Sequence, residues 1–257
     1  MACHTGAYLY RSGITMNEFK HENITLLNCD CMDYMATIPD KYFELAIVDP
    51  PYGLKIAKTM SSVCWVNVKK GFTKKELHKK KEWDSAIPEK DYFDELKRVS
   101  KNQIIWGGNY FTEFLPPTKA WIFWDKKENK TQGLNFSDGE LAWTSLNKVT
   151  KYFKYGWIGL DYCNQSEKKQ HPTQKPIALY EWLLTNYAKT GDKILDTHGG
   201  SFSSAIACNN LGFEFVGMEL DKDYFDASVK RFEKHISQAK LFDFPVQEKQ
   251  LNQAVIF

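Results

Sequence analysis

A rhythm constrains this chain more than any single residue does. Short apolar, β-branched runs alternate with helical patterns along most of its 257 residues. Strands are expected at Ile24 to Asn28, Glu44 to Asp49, Gln103 to Trp106, Ala120 to Asp125, Lys193 to Asp196 and Phe213 to Glu219. Helical patterns lie between them at Met32 to Thr37, Lys90 to Ser100, Ile177 to Lys189, Ser203 to Leu211 and Asp223 to Gln238. Such alternation builds βαβ units, because parallel strands need a long crossover and a helix is the usual one. The fold class is therefore α/β, a mainly parallel sheet with helices on both faces. Glu140 to Ser145 and Lys151 to Trp157 read as a hairpin-like β pair, which adds an antiparallel edge.

Two stretches break the rhythm: 54–88, rich in lysine, and 147–170, rich in Lys, Tyr and Gly. Loops of that length in a domain are usually functional or mobile. The net charge of +2 does not argue for nucleic acid, but lysines crowd at Lys69, Lys70, Lys74, Lys75, Lys79 and Lys80. A local field of this kind attracts phosphate, although a charge run also serves simply as a solvated face. Aromatic residues reach 15%, with Trp and Tyr concentrated between Trp65 and Trp182, a composition suited to stacking on bases as well as to a core.

No apolar run approaches the roughly 18–20 residues that cross a bilayer, and the N-terminus lacks a secretory pattern. Six scattered cysteines without a Cys-x-x-Cys pair argue against a zinc knuckle and for a reduced, cytoplasmic setting. Residues 1–22 have no clear period and read as a leader, disordered or upstream of a true start at Met16. Residues 23–240 read as one domain, and 241–257 as a tail.

Asp49-Pro50-Pro51-Tyr52 follows the apolar run Leu45-Ala46-Ile47-Val48. Ligands of open α/β sheets bind at the carboxyl ends of strands, so a site is expected at this turn. The two prolines stiffen the backbone and donate nothing, leaving carbonyl acceptors beside one carboxylate and one aromatic ring. An exocyclic amine such as N6 of adenine can donate to Asp49 and to the Pro50 carbonyl while its ring stacks on Tyr52. The same four residues also suit a Pro-Pro turn capped by Asp.

A second constellation runs from Ile194 through Asp196-Thr197-His198-Gly199-Gly200-Ser201-Phe202 into a helix. Glycines let backbone approach a ligand, and a helix N-terminus offers N–H groups to an anion. Glu219, at the end of the next strand and about 20 residues on, sits where a ribose diol is commonly bound. Adenosine bearing an acid group is the favoured ligand. Third, His171-Pro172-Thr173-Gln174-Lys175-Pro176 opens a helix, with Pro176 in its first turn and Lys175 placed to reach an anion. His171 has no partner at ligand spacing, so no metal site is expected.

Together and in this order, the three motifs resemble the S-adenosylmethionine-dependent amino-group DNA methyltransferases, which act on N6 of adenine or N4 of cytosine. With the catalytic tetrapeptide ahead of the cofactor loop, the order is similar to the circularly permuted β class, and the resemblance spans about Asn23 to Phe232. It implies a Rossmann-like, mixed and mostly parallel seven-stranded sheet, and a target base flipped out of double-stranded DNA. Asp49, Pro50, Pro51 and Tyr52 would then be catalytic. Asp196, Thr197, Gly199, Gly200 and Ser201 would line the cofactor, with Thr173 and Lys175 near its methionine end. Glu219 would lie at its ribose and Asp30 near its adenine, with Cys31 and Leu220 also binding the cofactor.

By the same resemblance the lysine-rich segment would close over DNA and 147–170 would read its sequence. A site-specific adenine-N6 methyltransferase is expected, with N4 of cytosine as the alternative target. A homodimer and a cognate restriction endonuclease fit the family. One departure matters: the family loop usually reads Gly-Ser-Gly, whereas Phe202 follows Ser201 here. A side chain in that place allows a further reading, a DNA-binding homologue impaired in catalysis.

Overall fold

The computed structural model describes residues 4–9, 15–54, 63–68, 71–76, 86–127, 137–157 and 173–242. The strands are β1 (His4–Leu9), β2 (Thr15–His21), β3 (Ile24–Asn28), β4 (Phe43–Val48), β5 (Val63–Val68), β6 (Gly71–Glu76), β7 (Ser100–Trp106), β8 (Trp121–Asp125), β9 (Gly139–Thr144), β10 (Lys151–Lys154), β11 (Lys193–Asp196) and β12 (Glu214–Met218). The helices are α1 (Cys31–Met35), α2 (Lys90–Val99), α3 (Ile177–Tyr187), α4 (Ser203–Leu211) and α5 (Lys222–Phe242). None of them is long and apolar enough to cross a membrane.

Ten strands form one sheet in the order β1-β2-β3-β12-β11-β4-β7-β9-β8-β10, and β5 and β6 pair separately. The central run from β3 to β8 holds seven strands, parallel except for β9, so with β1, β2 and β10 the sheet has three strands more than the seven expected. Side chains alternate across a strand, so a strand covered on both sides is apolar throughout. In β4, Leu45 and Ile47 pack with Leu179 and Leu183 of α3 and Phe232 of α5. Ala46 and Val48 pack on the other face with Tyr34 of α1 and with Phe93 and Leu96 of α2. The buried residues of α2, Tyr92, Phe93, Leu96 and Val99, recur at helical spacing and form one stripe.

Three expectations are corrected. Residues 15–21 of the expected leader are sheet: β2 pairs antiparallel with β3, and Met16 and Phe19 are fully buried. The turn between them places Glu22 at φ 49 without a glycine, so nothing in the composition marks a hairpin. The expected hairpin of Glu140–Ser145 with Lys151–Trp157 does not form, because β8 lies between the two strands. It pairs antiparallel with β9 and parallel with β10. Within 54–88, residues 63–76 contain the antiparallel pair β5–β6.

The departure at Phe202 resolves in the core. Phe202 has φ 51, in the left-handed region that bulky residues avoid, and its ring is fully buried edge-on to Phe225. A Cβ on Gly199 would lie 2.0 Å from that ring, so the additional glycine of this loop is the space the phenylalanine needs. The strain costs roughly 1–2 kcal/mol, and burial of the ring outweighs it. Phe202→Gly is expected to destabilise the protein by about 2 kcal/mol in denaturant unfolding, since a lost buried Phe costs about 3–5 kcal/mol and the relieved strain returns part. Gly199→Ala should be severely destabilising alone and much milder in the Phe202→Gly background.

Candidate active site

A cavity of about 480 Å³ opens where the chain leaves β3, β12, β11 and β4. These four strands are adjacent and parallel, so their carboxyl ends emerge together. Asp30 and Cys31 line it from the start of α1, Asp49 and Pro51 from the turn after β4, and Glu219 and Leu220 from the end of β12. Thr197, Gly199, Gly200 and Ser201 supply the loop after β11, while Thr173 and Lys175 come from the segment before α3. Three motifs far apart in sequence thus meet at one opening.

Two expected cofactor contacts take other forms. Asp196 is buried and does not line the cavity; its oxygens accept from the His198 amide at 3.1 Å and the Ser204 hydroxyl at 2.6 Å. It therefore braces the glycine loop from beneath. Glu219 does line the cavity, and it also accepts from the Gly200 amide at 2.9 Å and the Asp221 amide at 2.8 Å. A carboxylate offers about four lone-pair sites, so two remain. From α5, Ser228 and Arg231 hold the Gly200 and Ser201 carbonyls.

Burial pushes the Asp196 and Glu219 carboxyls up to about 7. It lowers the His198 imidazole to about 4 and thereby keeps it neutral. Cys31 lines the cavity as a neutral thiol, pushed up to about 12 by burial and the neighbouring Asp30 carboxylate. Asp30 caps α1 by accepting the Met32 amide.

At the other end, Tyr52 donates its hydroxyl to Asp49 Oδ1 at 2.6 Å, and Lys175 Nζ lies 2.5 Å from Asp49 Oδ2. The Tyr52 ring presses on Gly107, where a Cβ would fall 2.2 Å from it, and stacks on Tyr110 at 5.0 Å. Pro50 is buried beneath the turn. Motif reading did not single out Tyr92, Tyr180, His198 or Tyr224, which also line the cavity. Tyr92 reaches across from α2 to Thr197 at 2.7 Å. Its place in the apolar stripe of α2 was the only signal, and it does not distinguish a cavity wall from core.

Of the lysines expected to contact DNA, Lys74 and Lys75 lie on β6, opposite Trp65 and Cys64 of β5. Lys69, Lys70, Lys79 and Lys80 fall outside the described residues, as do His171, Pro172 and 158–170.

A family model described as DNA methylase, of the N6/N4 methyltransferase type, matches residues 95–230, over half of the chain. The chain belongs to this family. The Type II methyltransferase M.HinfI of Haemophilus influenzae is 26% identical over 250 residues, covering 80% of this chain and 67% of that protein. M.HpaI of Haemophilus parainfluenzae is 34% identical over 76 residues, covering 30% of this chain and 24% of that protein. The chain thus spans about two thirds of the first relative's length and about a quarter of the second's.

Two solved structures share the fold. The M1.HpyAVI–SAM complex is 20% identical with a TM-score of 0.50, covering 81% of this chain and 99% of that one. The cytosine-N4-specific PvuII DNA methyltransferase is 13% identical with a TM-score of 0.52, covering 84% and 90%. The sheet is accordingly Rossmann-like.

The raised Glu219 carboxyl has a consequence for stability. An unfolded Glu ionises near pH 4.3, so between there and pH 7 the folded chain holds the extra proton, and stability from this group falls as pH rises. Melting curves of wild type and Glu219→Gln, recorded without ligand from about pH 5 to pH 8, should therefore shift in the variant's favour up to about pH 7 and then level off. A constant difference would contradict the assignment.

Proposed function

We propose that this protein transfers a methyl group from S-adenosylmethionine to the exocyclic amine of a base flipped out of double-stranded DNA, with N6 of adenine as the favoured target. The observation that carries the reading is the meeting of Asp49 and Pro51 with the glycine loop and Glu219 around one cavity. Its charged lining residues are Asp30, Asp49, Glu89, Asp91 and Glu219 against Lys175, an anionic balance that suits a cationic ligand. The remaining acceptor sites of Glu219 suit a ribose diol, and the glycine backbone allows close approach.

S-adenosylmethionine supplies a methyl already activated by its positive sulfur, so the protein's task is chiefly positioning. The target amine donates to Asp49 and to the Pro50 carbonyl, which aims the nitrogen lone pair at the methyl. Asp49 Oδ1 is held by the Tyr52 hydroxyl, so an arriving amine takes that place as Tyr52 turns to stack on the base. Positive charge then grows on the nitrogen, and the Asp49 carboxylate stabilises it until a proton leaves.

An aspartate rather than another acceptor at position 49 favours adenine. N4 of cytosine presents a similar amine and is the second reading, supported by the fold shared with a cytosine-N4-specific enzyme. The impaired-homologue reading loses its ground because the Phe202 ring lies in the core rather than in the cavity. A cytoplasmic setting, a homodimer and a cognate restriction endonuclease belong to the same proposal.

Labelled methyl transfer to unmethylated DNA, followed by nucleoside analysis, tests the reaction. Label in N6-methyladenine that falls at least about a hundredfold in Asp49→Ala is expected; label in N4-methylcytosine would overturn the choice of base, and no transfer would overturn the function. A major groove admits a two-stranded ribbon, and β5–β6 is an antiparallel pair of that kind. Replacing Lys74 and Lys75 together by Ala should weaken binding about equally on all sequences and flatten the slope of log K against log salt by about 2.

A further inference from the structure

A line of alternating charge runs from the site through a buried lysine to a partly exposed one. Lys175 Nζ lies 2.5 Å from Asp49 and 3.1 Å from Glu140, and Lys126 Nζ lies 2.8 Å from the other Glu140 oxygen. Lys175 is buried, with only 3% of its side chain exposed, and it rests 5.4 Å from the centroid of the Trp106 ring. Four elements contribute: the turn after β4, the segment before α3, β9, and the residue following β8. No sequence motif includes Glu140.

The groups facing Asp49 are Lys175, Tyr52, Glu140, Tyr92 from α2, Tyr180 from α3 and Asp196 from β11. Burial raises all three tyrosine hydroxyls well above their ordinary range, so they stay neutral. Lys175 is then the cation that governs Asp49. A lone ammonium at 2.5 Å would neutralise the carboxylate and repel an amine that is becoming positive. Glu140 changes that balance, because Asp49, Lys175 and Glu140 together carry one net negative charge. Lys126 answers Glu140 from its far side and is partly exposed, hence better screened. Burial opposes ionisation of Glu140, but Lys175 and Lys126 overcome it and hold the carboxyl at about 2.

We propose that Glu140 is a positioning residue for methyl transfer: it holds Lys175 and shares its charge, leaving Asp49 free to accept the amine and stabilise its growing positive charge. This rests on the transfer reaction proposed above. The bond formed is from the amine nitrogen to the methyl carbon, the bond broken is from that carbon to sulfur, and sulfur keeps the electron pair. The nitrogen then releases one proton to water.

The test is the steady-state rate of labelled methyl transfer from S-adenosylmethionine to unmethylated double-stranded DNA across pH, for wild type and Glu140→Gln. The isosteric variant should lose about tenfold or more in kcat with little change in either KM. Its acid limb should move to lower pH, because burial raises the Asp49 carboxyl, Lys175 opposes this, and the charge of Glu140 adds to the rise that the variant removes. Glu140→Asp should bring the limb back toward wild type.

Melting temperature and S-adenosylmethionine binding report whether Glu140→Gln is folded; if it is not, Glu140→Asp carries the test through a smaller kcat loss at unchanged KM. A folded variant with wild-type kcat or an unmoved limb would overturn the inference. A wild-type protein that transfers no methyl would instead overturn the underlying reaction.

Discussion

The pairing of β4 with β11 is the constraint on which this molecule depends. Leu45 faces Ile194 and Ala46 faces Leu195 in parallel register, so both strands deliver their carboxyl ends to the same side of the sheet. Asp49 leaves one and the glycine loop leaves the other. β12 and β3, next in the sheet, bring Glu219 and Asp30 to the same edge. A parallel sheet buried on both faces tolerates little slippage, because a shift of one residue would exchange the sets packed against α1–α2 and α3–α5. The rigidity of the site is inherited from that registry.

The loop after β11 is shaped from below rather than by its ligand face. Phe202 anchors it in the core, Asp196 ties the His198 amide to the Ser204 hydroxyl, and Arg231 and Ser228 fasten two of its carbonyls. Backbone strain at Phe202 is thus held by packing on one side and hydrogen bonds on the other, leaving Gly199, Gly200 and Ser201 on the cavity wall. At the opposite end a buried ammonium performs the comparable task. Lys175 would be costly alone in the interior, and its two carboxylates tie the β4 turn to β9 across the sheet.

Much of this was legible before any coordinates. The bounds expected for β3, β11 and α4 coincide with those observed, because apolar runs and the Gly212 stop are local signals. Of the motif residues, Asp49 and Pro51 of the β4 turn and Thr197, Gly199, Gly200 and Ser201 of the glycine loop line one cavity, while Pro50, Tyr52 and Asp196 do not. β2 was not legible, since its turn has no glycine, and neither was the separation of β9 from β10. Alternation reports which face of a strand is buried but not which strand becomes its neighbour. Tyr92 and Tyr180 escaped notice because cavity walls and core share the same residue types.

By itself, then, the sequence determined the α/β class, the places where chain direction changes and the residue types gathered at those places. Periodicity, prolines and glycines act over a few residues and need no partner to be read. Only the tertiary structure decided that Phe202 turns inward, that Asp196 braces the loop instead of lining the cavity, and that Lys175 stands between Asp49 and Glu140. Each of those outcomes depends on which strands lie side by side and on how much water is excluded between them, and both are settled only when the sheet closes over its core.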